Sequence, residues 1–192
     1  MTELNRRARL ILAIIVVLSI LGIADTVYLI DLHYSNPTHI RNLRNTLPFL
    51  RPHLLDPDDP YDRARLGTAD SRKACDLTDY LNCSCVDNSP YSEIGGIGVS
   101  IFGLIGYVIL LILSLWAVVI KSKNFRFVHL LIFSGSSVGF LYTAWLNYIE
   151  FFVIRCLCPE CTISAFLITV IFVLSAVTFG KSAIKLIISP FL

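Results

Sequence analysis

Apolar positions fall into four long runs, at residues 10–32, 97–120, 128–154 and 162–179, separated by polar stretches of unequal length. Each run is long enough to cross about 30 Å of hydrocarbon at roughly 1.5 Å per residue. Backbone polar groups at that depth need partners within the chain, so the runs predict helices. The expected fold is all-α: a polytopic membrane protein forming a single domain, 1–192, with a four-transmembrane-helix bundle and a long exoplasmic loop between helices 1 and 2. The first run follows Arg6, Arg7 and Arg9 as a signal peptide would. It is longer than an ordinary h-region and lacks a small-residue cleavage site, so it reads as a retained helix. Within the long loop, Ile40, Leu43, Leu47, Leu50 and Leu54 recur at three- and four-residue steps. They predict a short amphipathic helix on the membrane or over the site, cut short by Pro48 and Pro52.

Composition agrees with the pattern. Of 192 residues, 55% are hydrophobic and 16% charged, and the mean hydropathy is +0.70, more apolar surface than one soluble core hides. Membrane lipid is the implied partner. A net charge of +2, without a basic stripe, argues against nucleic acid or an acidic substrate. Basic residues flank the runs unevenly: Arg6, Arg7 and Arg9 precede the first, Lys121, Lys123 and Arg126 lie between the second and third, and Lys181 and Lys185 follow the fourth. Those flanks predict cytoplasmic N- and C-termini. Residues 33–96 and 155–161 then face the periplasm or exterior, as in a bacterial inner membrane. Arg and Lys in the long loop are offset by the Asp-rich stretch 56–62, and long loops count little in this rule.

All six cysteines, Cys75, Cys83, Cys85, Cys156, Cys158 and Cys161, lie in the two exoplasmic segments. Those segments are roughly a third of the chain, so chance would place them all there well under about 1% of the time. That side of a membrane is oxidising, and disulfides persist there. Cys158-Pro-Glu-Cys161 is a Cys-x-x-Cys motif, which permits a small ring that opens and closes. At the start of helix 4 it meets free backbone N–H groups and the positive end of the helix dipole, both of which favour a thiolate. Pro159 suits the first helical position. Cys75 and Cys83, separated by seven residues in a polar loop, supply a second pair, and two dithiols in reach of one another can pass two electrons by exchange. Two other arrangements fit the same residues. Cys85 and Cys156 are candidates for structural bridges pinning the loop onto the bundle, making the chain a disulfide-stapled scaffold without catalysis. Alternatively, Cys83-Ser-Cys85 with Cys158-Pro-Glu-Cys161 offers four thiolates to zinc, although the spacing matches no familiar zinc pattern.

Asp25 is the one carboxylate well inside a predicted span, about 10 Å of helix below Leu32. Intramembrane ionisable groups are costly, so Asp25 is a candidate cofactor contact, together with Tyr28 at i+3 on its face. An ordinary interhelical hydrogen bond is the competing reading. Glu150, near an exoplasmic helix end, is expected only to reach the interface. Gly103 and Gly106, and the stretch Gly135-Ser-Ser-Val-Gly139, are small-residue packing positions. Trp116 and Trp145 read as lipid or packing residues. His33, His39 and His53 are scattered in the loop and are assigned no metal role.

The arrangement resembles the vitamin K epoxide reductase family, above all its bacterial quinone-linked branch that generates protein disulfides. The matching stretches are Cys75-Asp-Leu; Cys83 with Ser89 six residues on; Tyr91-Ser-Glu-Ile-Gly-Gly-Ile-Gly-Val-Ser-Ile-Phe-Gly-Leu-Ile-Gly-Tyr107; and Tyr148-Ile-Glu150 running into Cys158-Pro-Glu-Cys161. The resemblance implies an active-site pair, Cys158 and Cys161, with Cys161 nearer a quinone of the ubiquinone, menaquinone or vitamin K type. It implies a shuttle pair in which Cys83 exchanges with Cys158 and Cys75 meets an external thioredoxin-like protein. Ser89 matches a loop serine near the quinone ring; its ordinary alternative is a turn or cap residue before Pro90. Three features depart from the family pattern. Val99 and Ala165 stand where the vertebrate enzymes use polar side chains for vitamin K, which argues against epoxide reduction proper. Cys85 and Cys156 are additional to the usual four and are candidates for a third bridge between the exoplasmic segments. The thioredoxin-like domain fused to some bacterial relatives is absent from this sequence, so a separate protein is expected to bring the electrons. The other four-helix quinone-linked disulfide generator of bacterial membranes carries its Cys-x-x-Cys in the first exoplasmic loop, whereas here it is in the second.

Overall fold

The computed structural model describes residues 3–35, 37–47, 75–78, 80–119 and 125–188. In chain order the elements are α1 (Glu3–Tyr34), α2 (Pro37–Thr46), α3 (Cys83–Asp87), β1 (Glu93–Ile94), β2 (Ile97–Gly98), α4 (Val99–Val119), α5 (Phe125–Tyr148) and α6 (Pro159–Ile188), with α5 continuing into a π-helical turn at Ile149–Ile154. Four helical stretches, Ala8–Tyr34, Val99–Val118, Phe127–Ile154 and Pro159–Thr178, are long and apolar enough to cross a bilayer. In an 18-residue apolar window of each, between 22% and 33% is buried within the protein. Side chains such as Val17, Ile105, Ile112, Val138, Leu141, Phe166 and Val173 point outward. Trp116 and Trp145 are exposed in the same way. In water such a surface drives aggregation; in lipid it is the expected exterior. The chain is an all-α, multi-pass membrane protein.

Element boundaries differ from the apolar runs for local reasons. α6 begins at Pro159 rather than residue 162, because proline's fixed φ fits the first helical position. α4 begins at Val99, and Ile97 and Gly98 instead form the second strand of a two-stranded antiparallel hairpin in which Glu93 pairs with Gly98 and Ile94 with Ile97. Gly95 and Gly96 make its turn with φ of 61° and 81°; positive φ at both central positions matches the twist of the strands and favours glycine. α2 realises the first half of the predicted amphipathic helix: Ile40 and Leu43 are buried, and it ends at Thr46 ahead of Pro48. Pro48, Leu50, Pro52 and Leu54 lie outside the described residues.

The chain divides into two compact units, Met1–Ala24 with Ile105–Trp145 and Ser164–Leu192, and Asp25–Leu104 with Leu146–Ile163. The first unit is a four-helix bundle. Its core joins Leu12 and Ile15 of α1, Tyr107 and Leu110 of α4, Val128 and Ile132 of α5, and Leu167, Ile168 and Ile171 of α6. Lipid tails are as apolar as these residues, so close fit and hydrogen bonds, not exclusion of water, must hold the bundle together. A Cβ on Gly22 would lie 2.3–2.5 Å from the Tyr107 ring, so only glycine lets α1 and α4 approach this closely. Tyr107 then donates its hydroxyl to the Ser164 carbonyl at 2.8 Å. Ser136 and Ser175, both buried, join their hydroxyls at 2.8 Å across α5 and α6. Of the small residues noted in the sequence, Gly139 packs against Ile168 and Gly103 faces Thr26 in the second unit, while Gly106 has no neighbour within 4 Å of its virtual Cβ.

Candidate redox site

The second unit has a core built largely of sulfur: Cys75, Cys83 and Cys158 with Leu32, lined by Leu29, Val86 and Cys161. Backbone pairing brings the two cysteine-bearing segments together. Leu81 forms a parallel bridge with Leu157; the Leu157 N–H donates to the Tyr80 carbonyl at 2.8 Å and the Asn82 N–H to the Leu157 carbonyl at 2.9 Å. A disulfide between Cys85 and Cys156, Cα atoms 6.3 Å apart, fixes the same junction covalently. Asn82 caps α3 by accepting from the Cys85 N–H at 2.8 Å. Asp76 accepts from the Ser84 N–H at 3.0 Å and hydroxyl at 2.6 Å, holding Cys75 beside α3. Cys75 and Cys83 are disulfide-bonded with Cα atoms 5.6 Å apart, and Cys158 and Cys161 are free thiols. Cys83 and Cys85, two of the four thiolates that a zinc reading requires, are thus each held in a disulfide.

With both segments docked, Cys83 Sγ lies 3.1 Å from Cys158 Sγ. The sulfurs of Cys75, Cys83 and Cys158 fall within 4.8 Å of one another, all buried. Cys158 immediately precedes α6, where an N-cap Ser or Asp is usual, and its sulfur takes that place: the Cys161 N–H donates to Cys158 Sγ at 3.3 Å. Cys161 sits in the first turn of α6, partly exposed.

Glu150 corrects the sequence reading. It does not reach out to the interface but is 4% exposed, and its Oε2 accepts from the Cys158 N–H at 3.3 Å, within electrostatic reach of Cys161. The π-helical turn makes this possible by adding a residue to the turn and rotating Glu150 inward; π segments recur at functional positions. Arg155, at φ 60°, then turns the chain toward α6. Asp25 is partly buried and within electrostatic reach of Cys161, and Tyr28 is within reach of Cys158. Ser89 lies in the turn after α3: its carbonyl accepts from the Ser92 hydroxyl at 2.9 Å and its own hydroxyl from the Tyr91 N–H at 3.4 Å.

The sequence profile of the vitamin K epoxide reductase family matches residues 59–176. The chain belongs to this family. No curated protein matches the chain. Family membership makes it an oxidoreductase of the membrane, and four of its six cysteines are joined in two disulfides. Ala165 is buried and Val99 partly so, and neither brings a polar side chain to the family fold.

A second polar cluster lies in the same unit. His33 at the end of α1 and His39 of α2 stack with ring centroids 4.0 Å apart, between Asp87 of α3 and Glu93 of β1. Burial works to lower the pKa of His39, but its contacts to Asp87 and Glu93 outweigh burial and the net shift is upward. For Asp87, burial raises the pKa and the hydrogen bonds to His33 and His39 outweigh it, leaving the carboxyl below its ordinary value.

Proposed function

We propose that the protein is a quinone-dependent thiol-disulfide oxidoreductase that takes electrons from a thioredoxin-like protein through Cys75 and Cys83, passes them to Cys158 and Cys161, and delivers them to a membrane quinone. This supports disulfide formation in exported proteins, with the cysteines on the periplasmic or outer side. The observation that carries the reading is the 3.1 Å approach of Cys83 Sγ to Cys158 Sγ, 75 residues apart in sequence.

Each step balances. A partner dithiol reduces Cys75–Cys83 and becomes a disulfide, so two electrons and two protons arrive on the loop. The Cys83 thiolate attacks Cys158 Sγ of the oxidised Cys158–Cys161 pair, forming a Cys83–Cys158 bond and expelling Cys161. Cys75 then attacks Cys83 Sγ, restoring the loop disulfide and freeing the Cys158 thiolate, which the Cys161 N–H stabilises. Reclosing Cys158–Cys161 gives up two electrons and two protons, which is what a quinone takes up in becoming a quinol. The residues around Cys161 fit such a reaction. It opens an apolar span, open to a head group dissolved in lipid, and Glu150, bonded to the neighbouring Cys158 N–H, would accept its proton. Asp25, Tyr28 and Ser89 are the proposed quinone contacts.

The test is reconstitution of the purified protein in liposomes containing ubiquinone or menaquinone, followed by addition of a reduced thioredoxin-like protein. One quinol should form for each partner disulfide; no quinol from any quinone, vitamin K included, overturns the proposal. In this assay Glu150→Gln should turn over on the order of 10- to 100-fold more slowly. A rate equal to wild type removes Glu150 from the reaction.

A further inference from the structure

The four side chains of the histidine cluster are arranged as two facing edges. On one, Asp87 contacts His33 Nδ1 and lies 3.3 Å from His39 Nε2; on the other, Glu93 lies 2.6 Å from His39 Nδ1 and 3.4 Å from His33 Nε2. All four are largely buried, and neither Nε2 makes a hydrogen bond. A neutral imidazole has one N–H and one lone pair. If both rings donate from Nδ1, then each Nε2 lone pair faces a carboxylate oxygen at 3.3–3.4 Å, a repulsive contact. If both rings are protonated, two cations stack 4.0 Å apart in a buried site. A cation on the Asp87 edge removes both conflicts. His33 Nδ1 and His39 Nε2 offer it lone pairs, His39 Nδ1 is then free to donate to Glu93 at 2.6 Å, and His33 Nε2 lies 3.4 Å from the same oxygen, close to the carboxylate-to-histidine arrangement that orients metal-bound imidazoles.

We propose that His33, His39 and Asp87 form a binding site for a divalent transition metal ion of the zinc type, with Glu93 as the outer carboxylate holding both rings. The three ligand groups lie within 4.8 Å of one another, and the 3.3 Å between His39 Nε2 and Asp87 Oδ2 matches the edge, about 3.3 Å, of a tetrahedron with bonds of ~2.0–2.1 Å. Two imidazoles and a carboxylate favour zinc-like ions over magnesium or calcium, which prefer all-oxygen sites, and leave the fourth position to water. Gly98 belongs to the design: a Cβ there would sit 2.8 Å from the His33 ring. The ion would tie α1, α2 and α3 together on the element that carries Cys83, and the site does not depend on the quinone reading.

The test uses the full chain in detergent, stripped with a chelator and with its free thiols alkylated, titrated with Co²⁺ and then challenged with Zn²⁺. We expect one Co²⁺ per chain, a visible spectrum of tetrahedral type with no thiolate-to-cobalt band, displacement by Zn²⁺, and a higher Tm with Zn²⁺ bound. His39→Ala should abolish this binding and Glu93→Gln should weaken it by roughly 10- to 100-fold. Absence of stoichiometric Co²⁺ binding, a thiolate band, or unaltered binding in His39→Ala overturns the proposal. Should His39→Ala fail to fold, the wild-type spectrum and Glu93→Gln still decide it.

Discussion

Serine in place of Cys158 or Cys161 should abolish quinone reduction driven by a dithiol protein, a loss of at least about 10³-fold, the scale expected when a nucleophile is removed. The two variants should fail differently. Cys161→Ser keeps the Cys158 sulfur, 3.1 Å from Cys83 and served by a helix N-terminus, so it should still exchange with the loop and stop at a mixed disulfide. Cys158→Ser loses the sulfur through which the two segments communicate and should leave the loop disulfide isolated. Full activity in both variants would remove the enzymatic assignment and leave a disulfide-stapled scaffold.

The largest effect on stability is expected at the other bridge. Cys85 and Cys156 join segments 71 residues apart and lie directly beside the Leu81–Leu157 pairing. Removing a cross-link that closes so long a loop costs about 2–4 kcal/mol. The double variant Cys85→Ser, Cys156→Ser should therefore lose that much in a denaturant or SDS titration, while turnover of the fraction that remains folded changes less than roughly 3-fold. Unaltered stability with turnover lost would make this bridge part of the electron path.

The membrane-spanning helices were legible because lipid allows so few alternatives: a run such as 97–120 must be helical once it is placed in hydrocarbon. The gathering of the six cysteines in one unit was also legible, since the apolar lengths leave them all in two connecting segments. What escaped was local geometry that periodicity does not encode. Glu150 was expected to extend toward water, as a carboxylate near the end of a 3.6-residue helix does. The wider turn at Ile149–Ile154 brings it onto Cys158 instead, and no hydrophobic pattern marks such a turn. The Gly95-Gly96 pair, between two short apolar segments, is itself a hairpin signal. His33 and His39 looked scattered because their partners, Asp87 and Glu93, come from the far end of the loop. Gly22 gave no sign of its role, which depends on the ring of Tyr107 on another helix.

The measurement that bears most directly on the account is disulfide trapping in the variant Cys75→Ser, Cys161→Ser, in which Cys83 and Cys158 are the only cysteines outside the Cys85–Cys156 bridge. Mild oxidation in membranes followed by peptide mass spectrometry should recover Cys83 joined to Cys158 in most of the protein. If both thiols react with an alkylating reagent yet no such peptide forms, the two cysteine pairs do not exchange and the relay is wrong.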